Sequence, residues 1–268
     1  MTTPSGKPQF ETTDLFATDG ESWPRIPGLV VTDRGTVLAL CNWRKGDRED
    51  FGHDTDVVLR RSEDGGRSWG PVETLFAAPG VDAHLGPAVV DRIAGRIIVF
   101  YRPRSSDIPE GVTHVGRYFV ERPDEARRTM GQSSWTIASD DDGLTWSEPE
   151  EVVLQHPDAE ARLIVGNATH GIQLRGGRLA VAGGFYDSSR LDDRQMASHA
   201  CLVVSDDHGA SWRVTGAMPP GSLQECVIAE CADGSIYANF RRPMSTCRGA
   251  CRSTDGGESW SEPRVVWD

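Results

Sequence analysis

The chain has 268 residues, among them 29 glycines, 16 prolines and eight tryptophans, and a formal net charge of −12. That acidic excess, with no basic face to offset it, argues against nucleic acid or an anionic membrane as a partner. No 3.6-residue apolar periodicity runs far, so the glycines and prolines punctuate short strands, and the chain reads as all-β. An anionic small molecule is still admitted, because a few clustered arginines override the net sign within a Debye length.

Residues 1–22 are polar and read as an extension ahead of a domain at residues 23–268. The opening MTTPSGKPQF lacks a basic stretch followed by an apolar one, and no apolar run is long enough to span a bilayer. A soluble, cytoplasmic protein is therefore expected. Cys41, Cys201, Cys226, Cys231, Cys247 and Cys251 are then expected as thiols. The x4 and x3 spacings within Cys226, Cys231, Cys247 and Cys251 fit a structural zinc site poorly.

In chain order, residues 29–31 and 36–41 predict a strand pair around Asp33-Arg34-Gly35, and residues 56–62 a third strand. Residues 87–91 and 95–102 predict the next pair. Residues 103–134 break the rhythm with charge and with Pro103, Pro109 and Pro123, and predict a long excursion holding one short strand at 115–120. Residues 135–139 resume the pattern. Further pairs follow at 170–174 with 178–182 and at 226–230 with 235–240, and single strands at 200–205 and 249–253.

One eight-residue pattern, Ser-x-Asp-x-Gly-x-[Ser/Thr]-Trp, closes four of these strands: SEDGGRSW at 62–69, SDDDGLTW at 139–146, SDDHGASW at 205–212 and STDGGESW at 253–260. The aspartates Asp64, Asp141, Asp207 and Asp255 suit an Asx-type turn, in which the carboxylate accepts from backbone N–H groups just ahead of it. The tryptophan supplies an apolar plate beneath that turn. Spacings of 77, 66 and 48 residues between these aspartates divide the chain into about four units, each strand, turn, strand, connection, strand and box. Repeated units of this kind predict the four-stranded blades of a β-propeller.

Within that frame, Trp23-Pro24-Arg25-Ile26-Pro27-Gly28-Leu29 opens the first unit. Arg44, the run from Asp50 to Ser62, the segment His170-Gly171-Ile172-Gln173-Leu174 and the stretch from Gln224 to Arg241 follow in order. Together these motifs resemble the exo-α-sialidase (neuraminidase) family with Asp-box (BNR) repeats, a group of glycoside hydrolases. The likeness implies a six-bladed propeller, of which this chain resembles roughly the first two-thirds, with four Asp-box blades visible and the C-terminal blades missing. It implies hydrolysis of terminal sialic acid from glycoconjugates with retention, a sialylated glycan or other anionic sugar as partner, and neither metal nor cofactor.

The resemblance also assigns roles. Sialic acid carries a carboxylate on its anomeric carbon, which guanidinium forks bind through paired charge-assisted hydrogen bonds. Arg25 and Arg241 match two of the family's three carboxylate-binding arginines, and Arg44 matches a further arginine that contacts sugar hydroxyls. Asp50 matches the acid/base aspartate on a loop, with Asp47, Glu49 and Asp54 as rivals because that loop varies in length. Glu225 matches the glutamate that takes a proton from a nucleophilic tyrosine. The third arginine and the tyrosine lie, in the family, in blades after this chain's last box. Tyr101, Tyr118, Tyr186 and Tyr237 stand in contexts that do not match the latter. Non-catalytic binding of glycan or protein by an Asp-box propeller, or another glycosidase or lyase on the same scaffold, are the alternatives. No H-E-x-x-H, G-x-S-x-G or phosphate-loop pattern competes.

Overall fold

The computed structural model describes residues 12–46, 52–106, 133–154, 162–165, 170–186, 198–222, 225–242 and 245–266. Among them there is no helix, and so none long and apolar enough to cross a membrane. The first blade comprises β1 (Ser22–Val31), β2 (Val37–Lys45), β3 (Thr55–Ser62) and β4 (Glu73–Phe76), paired antiparallel in that order. The second comprises β5 (Val81–Asp91), β6 (Arg96–Ser105), β7 (Ser134–Ser139) and β8 (Glu150–Val152). In the third, β9 (Arg162–Val165) and β10 (Ile172–Gln173) both pair with β11 (Leu179–Tyr186), followed by β12 (Ser198–Ser205) and β13 (Arg213–Val214). The fourth comprises β14 (Cys226–Glu230), β15 (Ile236–Phe240), β16 (Arg248–Ser253) and β17 (Arg264–Val266).

The expected strand pairs are present, and several are longer than their alternation suggested. The fourth strand of each blade, after the box, had no sequence signal. The short strand expected at residues 115–120 lies outside the described residues.

Alternation feeds two interfaces at once. On β6, Ile97, Val99 and Tyr101 join a core with Leu38, Leu40, Val57 and Leu59 of the first blade. The intervening Ile98 and Phe100 join Leu179, Val181 and Val203 of the third. A strand buried on both faces reads as a continuous apolar run, which is why residues 97–101 are aliphatic or aromatic throughout. A third core, holding Leu202, Val204, Ile228, Ile236 and Phe240, joins the last two blades. Parallel contacts, Thr55 opposite Asp82 and Ala88 opposite His170, stitch successive blades. All six cysteines are free thiols. Burial pushes Cys41, Cys201, Cys226 and Cys251 up to about 12, so they act as small core residues.

Each box folds as its chemistry dictates. Asp64 accepts from the Arg67 and Ser68 N–H groups at 2.9 and 2.8 Å and from the Ser68 hydroxyl at 2.6 Å. Ser62 donates to Asp64 and accepts from Gly66 N–H at 2.9 Å. The fourth and fifth box positions are left-handed in every copy, at φ 71° and 88° for Gly65 and Gly66 and φ 77° and 96° for Gly256 and Gly257. In the middle copies the fourth position is not glycine: Asp142 at φ 68° and His208 at φ 61°. Such residues cost more there than glycine does, and each makes a contact that glycine cannot. Asp142 accepts from the Thr36 hydroxyl at 2.5 Å and from Arg61 at 3.0 Å, both in the first blade. His208 Nδ1 lies 2.6 Å from Asp91 in the second blade, a fully buried carboxylate that also accepts from Ile93 and Ala94 N–H and from Gln173. Trp212 meets Phe100 of the second blade edge-on, centroids 4.8 Å apart, and Trp260 donates to the Gly216 carbonyl of the third. The boxes are thus hairpin corners, as expected, and also staples between blades.

The box hydrogen bonds are made to ionised carboxylates. The hydroxyls of Thr145 and Ser259, first among several donors, pull Asp141 and Asp255 down to about 2 from 3.8. A depressed folded-state value contributes stability that is present above 3.8 and lost as the pH falls through 2. The urea midpoint should therefore drop between pH 4 and pH 2, and the paired substitution Asp141→Asn and Asp255→Asn should flatten that drop. An unchanged slope in the double variant would show that acid sensitivity comes from elsewhere.

Candidate active site

Strand polarity places the matched arginines and glutamate at one end. The box ends of successive blades touch: Asp142 reaches Thr36, His208 reaches Asp91, Arg175 reaches Glu230 and Cys231, and Arg178 reaches the Gly256 carbonyl. The opposite ends of the blades therefore share a side, the mouth. Arg25 near the start of β1, Arg44 near the end of β2, Glu225 just before β14 and Arg241 just after β15 all lie at that end.

On the first blade, Arg25 stands opposite Asn42 and Trp23 opposite Arg44. Residues 23, 25, 42 and 44 share one face. That face bears Leu40 and Leu38 deeper in, so it is the one turned to the second blade. Asn42 fixes the junction by accepting from Leu85 N–H at 2.8 Å. Between Arg25 and Gly28 the register shifts, and Ile26 sits at φ 56°. A β-branched residue at positive φ is strained by about 1–3 kcal/mol, a feature that clusters at functional sites. The bulge re-aims the strand at the arginine. Arg25 is exposed, whereas Arg44 is buried at 1%.

Beside them lies a layer of cross-strand charged pairs that sequence reasoning missed. His84 stands opposite Arg102 and Asp82 opposite Arg104 across β5 and β6. Asp82 and Arg104 pair at 2.6 Å with both side chains largely buried. Burial first, and then Arg102, Arg104 and Arg44, hold His84 well below its usual range, so it stays neutral. Lys45 pairs with Asp56 at 2.8 Å. Asp54, one rival for the acid, accepts from the Ser106 hydroxyl at 2.6 Å and from Gly80 N–H at 3.1 Å, and the serine bond leads in lowering its carboxyl. A carboxylate held ionised in this way suits a structural tie better than proton donation. Asp47, Glu49, Asp50 and Gln224 lie outside the described residues.

On the fourth blade, Arg241 Nη1 meets both Glu225 carboxylate oxygens at 3.2 and 3.0 Å, and Arg241 N–H donates to the Glu225 carbonyl at 3.1 Å. Cys226 and Phe240 turn into the core shared with the third blade, so Glu225 and Arg241 emerge on the other face. The four matched residues thus form two pairs at one end of the fold, Arg25 with Arg44 and Glu225 with Arg241, on separate blades. Tyr101 is buried against Phe76 and pushed up to about 12 by burial, a core residue. The Tyr237 hydroxyl accepts from Asn239 at 3.4 Å, a half-buried contact on the same face as Arg241.

The sequence profile of the BNR repeat-like domain family matches residues 37–267. A sialidase from Micromonospora viridifaciens is 31% identical, over 99% of this chain and 40% of its own length. Sialidase-4 of Mus musculus is 30% identical, over 90% of this chain and 50% of its own. Among solved structures, a Hadza microbial sialidase superposes with a TM-score of 0.75 at 25% identity, covering 91% of this chain and 47% of that one. The intramolecular trans-sialidase from Ruminococcus gnavus in complex with oseltamivir carboxylate superposes with a TM-score of 0.70 at 20% identity, covering 91% and 71%. The chain spans about half the length of the curated relatives it matches. With its blades, boxes and mouth arranged as described, and its similarity to sialidases running along most of its length, the chain belongs to the BNR repeat-like domain family.

Proposed function

We propose that this chain builds the carboxylate-recognising part of a retaining exo-α-sialidase site acting on terminal sialic acid of sialylated glycans. The observation that carries this reading is the Glu225 carboxylate set against Arg241 at the same end of the fold as Arg25 and Arg44. Arg25 and Arg241 bind the sugar carboxylate, and Arg44 serves the hydroxyls. Asp50 gives its proton to the glycosidic oxygen as the C–O bond breaks. Glu225 takes the proton of a phenol that attacks the anomeric carbon. Water then attacks the same carbon and gives a proton to Asp50, while the bond to the phenol breaks and Glu225 returns the phenol its proton. In this reading the phenol and the third arginine come from the part of the relatives that this chain does not span. The setting is cytoplasmic breakdown of sialylated carbohydrate, with neither nucleic acid nor membrane as partner.

A second reading is sialic-acid binding without turnover, since guanidinium groups at the mouth bind a carboxylate whether or not a reaction follows. Incubation with a fluorogenic α-sialoside, alongside circular dichroism, separates the two. Release of the fluorophore by folded protein supports hydrolysis, and binding without release supports the second reading. Folded protein that neither binds nor releases the sugar contradicts both.

A further inference from the structure

At the mouth end of the fourth blade the last ladder pairs are Cys226 with Phe240 and Phe240 with Gly249. Glu225 and Arg241 lie one residue beyond them, joined by a single backbone hydrogen bond from the Arg241 N–H to the Glu225 carbonyl at 3.1 Å. Arg248, the first residue of β16, reaches across this end. Its Nη2 donates to the Asn239 carbonyl at 3.1 Å and to the Glu225 carbonyl at 3.3 Å, and its Nε donates to the Asn239 side-chain oxygen. One guanidinium therefore ties β16 across β15 to the residue before β14, a distance of about two strand spacings, roughly 10 Å. On the opposite face Gly249 leaves room for the Phe240 ring, which a Cβ there would meet. Asn239 passes the chain on to the Tyr237 hydroxyl.

We infer that Arg248 is a positioning residue: it straps the backbone of Glu225 and the β15 end so that the Glu225 carboxylate and the Arg241 guanidinium meet. The Glu225 carbonyl accepts from both Arg248 and the Arg241 N–H, so the strap and the pair share an atom. A lysine cannot replace it, since an ammonium on a shorter stem lacks the planar fork that serves three acceptors at once. The inference rests on the sialidase reading for its kinetic consequence and on the strand geometry alone for its structural one.

The test compares the full chain with Arg248→Ala and Arg248→Lys. Its readouts are fluorogenic sialoside turnover, affinity for the didehydro analogue of N-acetylneuraminic acid, thermal melting and amide hydrogen exchange at Arg241. Loosening a catalytic group by about 1 Å costs up to roughly a hundredfold in rate. In both variants kcat should fall between about tenfold and a hundredfold, KM should change less, and the melting temperature should hold. Exchange at Arg241 should accelerate while that at Ala238 does not. Wild-type kcat in Arg248→Ala, or full rescue by Arg248→Lys, would overturn the inference. If the unmodified protein neither turns over nor binds the sugar, the sialidase reading falls, and Arg241 exchange alone decides: faster exchange in Arg248→Ala upholds the strap, and unchanged exchange refutes it.

Discussion

Replacing Arg25 by alanine should weaken binding of a sialic-acid carboxylate roughly 30- to 150-fold, and Arg241→Ala should do the same. The magnitude follows from losing charge-assisted hydrogen bonds of about 2–3 kcal/mol at each guanidinium. Arg25 is exposed, and its strand is held by the antiparallel pairing of β1 with β2. Removal of Arg241 also strips Glu225 of its charge partner at 3.0 Å. Arg241→Ala should therefore lower kcat beyond its effect on affinity, and Arg25→Ala should act mainly through affinity. Titration calorimetry with the didehydro sugar, set beside the kinetics, reads the two apart. Equal affinities for all three proteins would remove both arginines from the site.

Gly171→Ala should be strongly destabilising, by about 3 kcal/mol. Gly171 sits where the second and third blades touch, its N–H donating to the Ala88 carbonyl at 2.6 Å. An added Cβ would lie 2.6 Å from Val89 Cβ and 2.7 Å from Val181 Cγ1, with the Ala180 carbonyl at 3.1 Å. Both valines are wholly buried and belong to one core, and β-branched side chains have little rotamer freedom with which to yield. The blades must separate or the strand must shift. Gly176→Ala is the internal control, since a Cβ there meets nothing within 4 Å and no positive φ is needed. It should be neutral or slightly stabilising through the unfolded chain. Urea unfolding of the two variants side by side measures the difference. Equal midpoints would mean that this junction is softer than its contacts indicate.

The repeat was the most legible part of the fold, because turn chemistry is local: an aspartate, a glycine and a hydroxyl within a few residues specify the corner by themselves. The fourth strands were not legible. β8 reads Glu-Glu-Val and β13 Arg-Val, too short and too polar for alternation to register, and they form because a partner edge is already in place. The stapling role of Asp142 and His208 left a signal that comparison of the four copies contained. Two copies keep glycine at the fourth position and two do not, and only a contact elsewhere offsets that cost.

At the mouth, Arg25, Arg44, Glu225 and Arg241 were reached through motif resemblance, and the strand polarity sets them at one end. Their surroundings were not readable. Asp82 with Arg104, and His84 opposite Arg102, form cross-strand pairs about 20 residues apart in sequence, and Arg248 reaches Glu225 over a whole strand. No local pattern encodes such contacts, because register and sheet order decide them together.

The central claim is that two residue pairs on separate blades serve one carboxylated sugar. A crystal structure of the protein soaked with the didehydro analogue of N-acetylneuraminic acid tests it most directly. The predicted result is a single sugar at the mouth, its carboxylate within hydrogen-bond distance of both Arg25 and Arg241, with Glu225 beneath the anomeric carbon. A sugar bound by one pair alone, or at the box end of the blades, would contradict it.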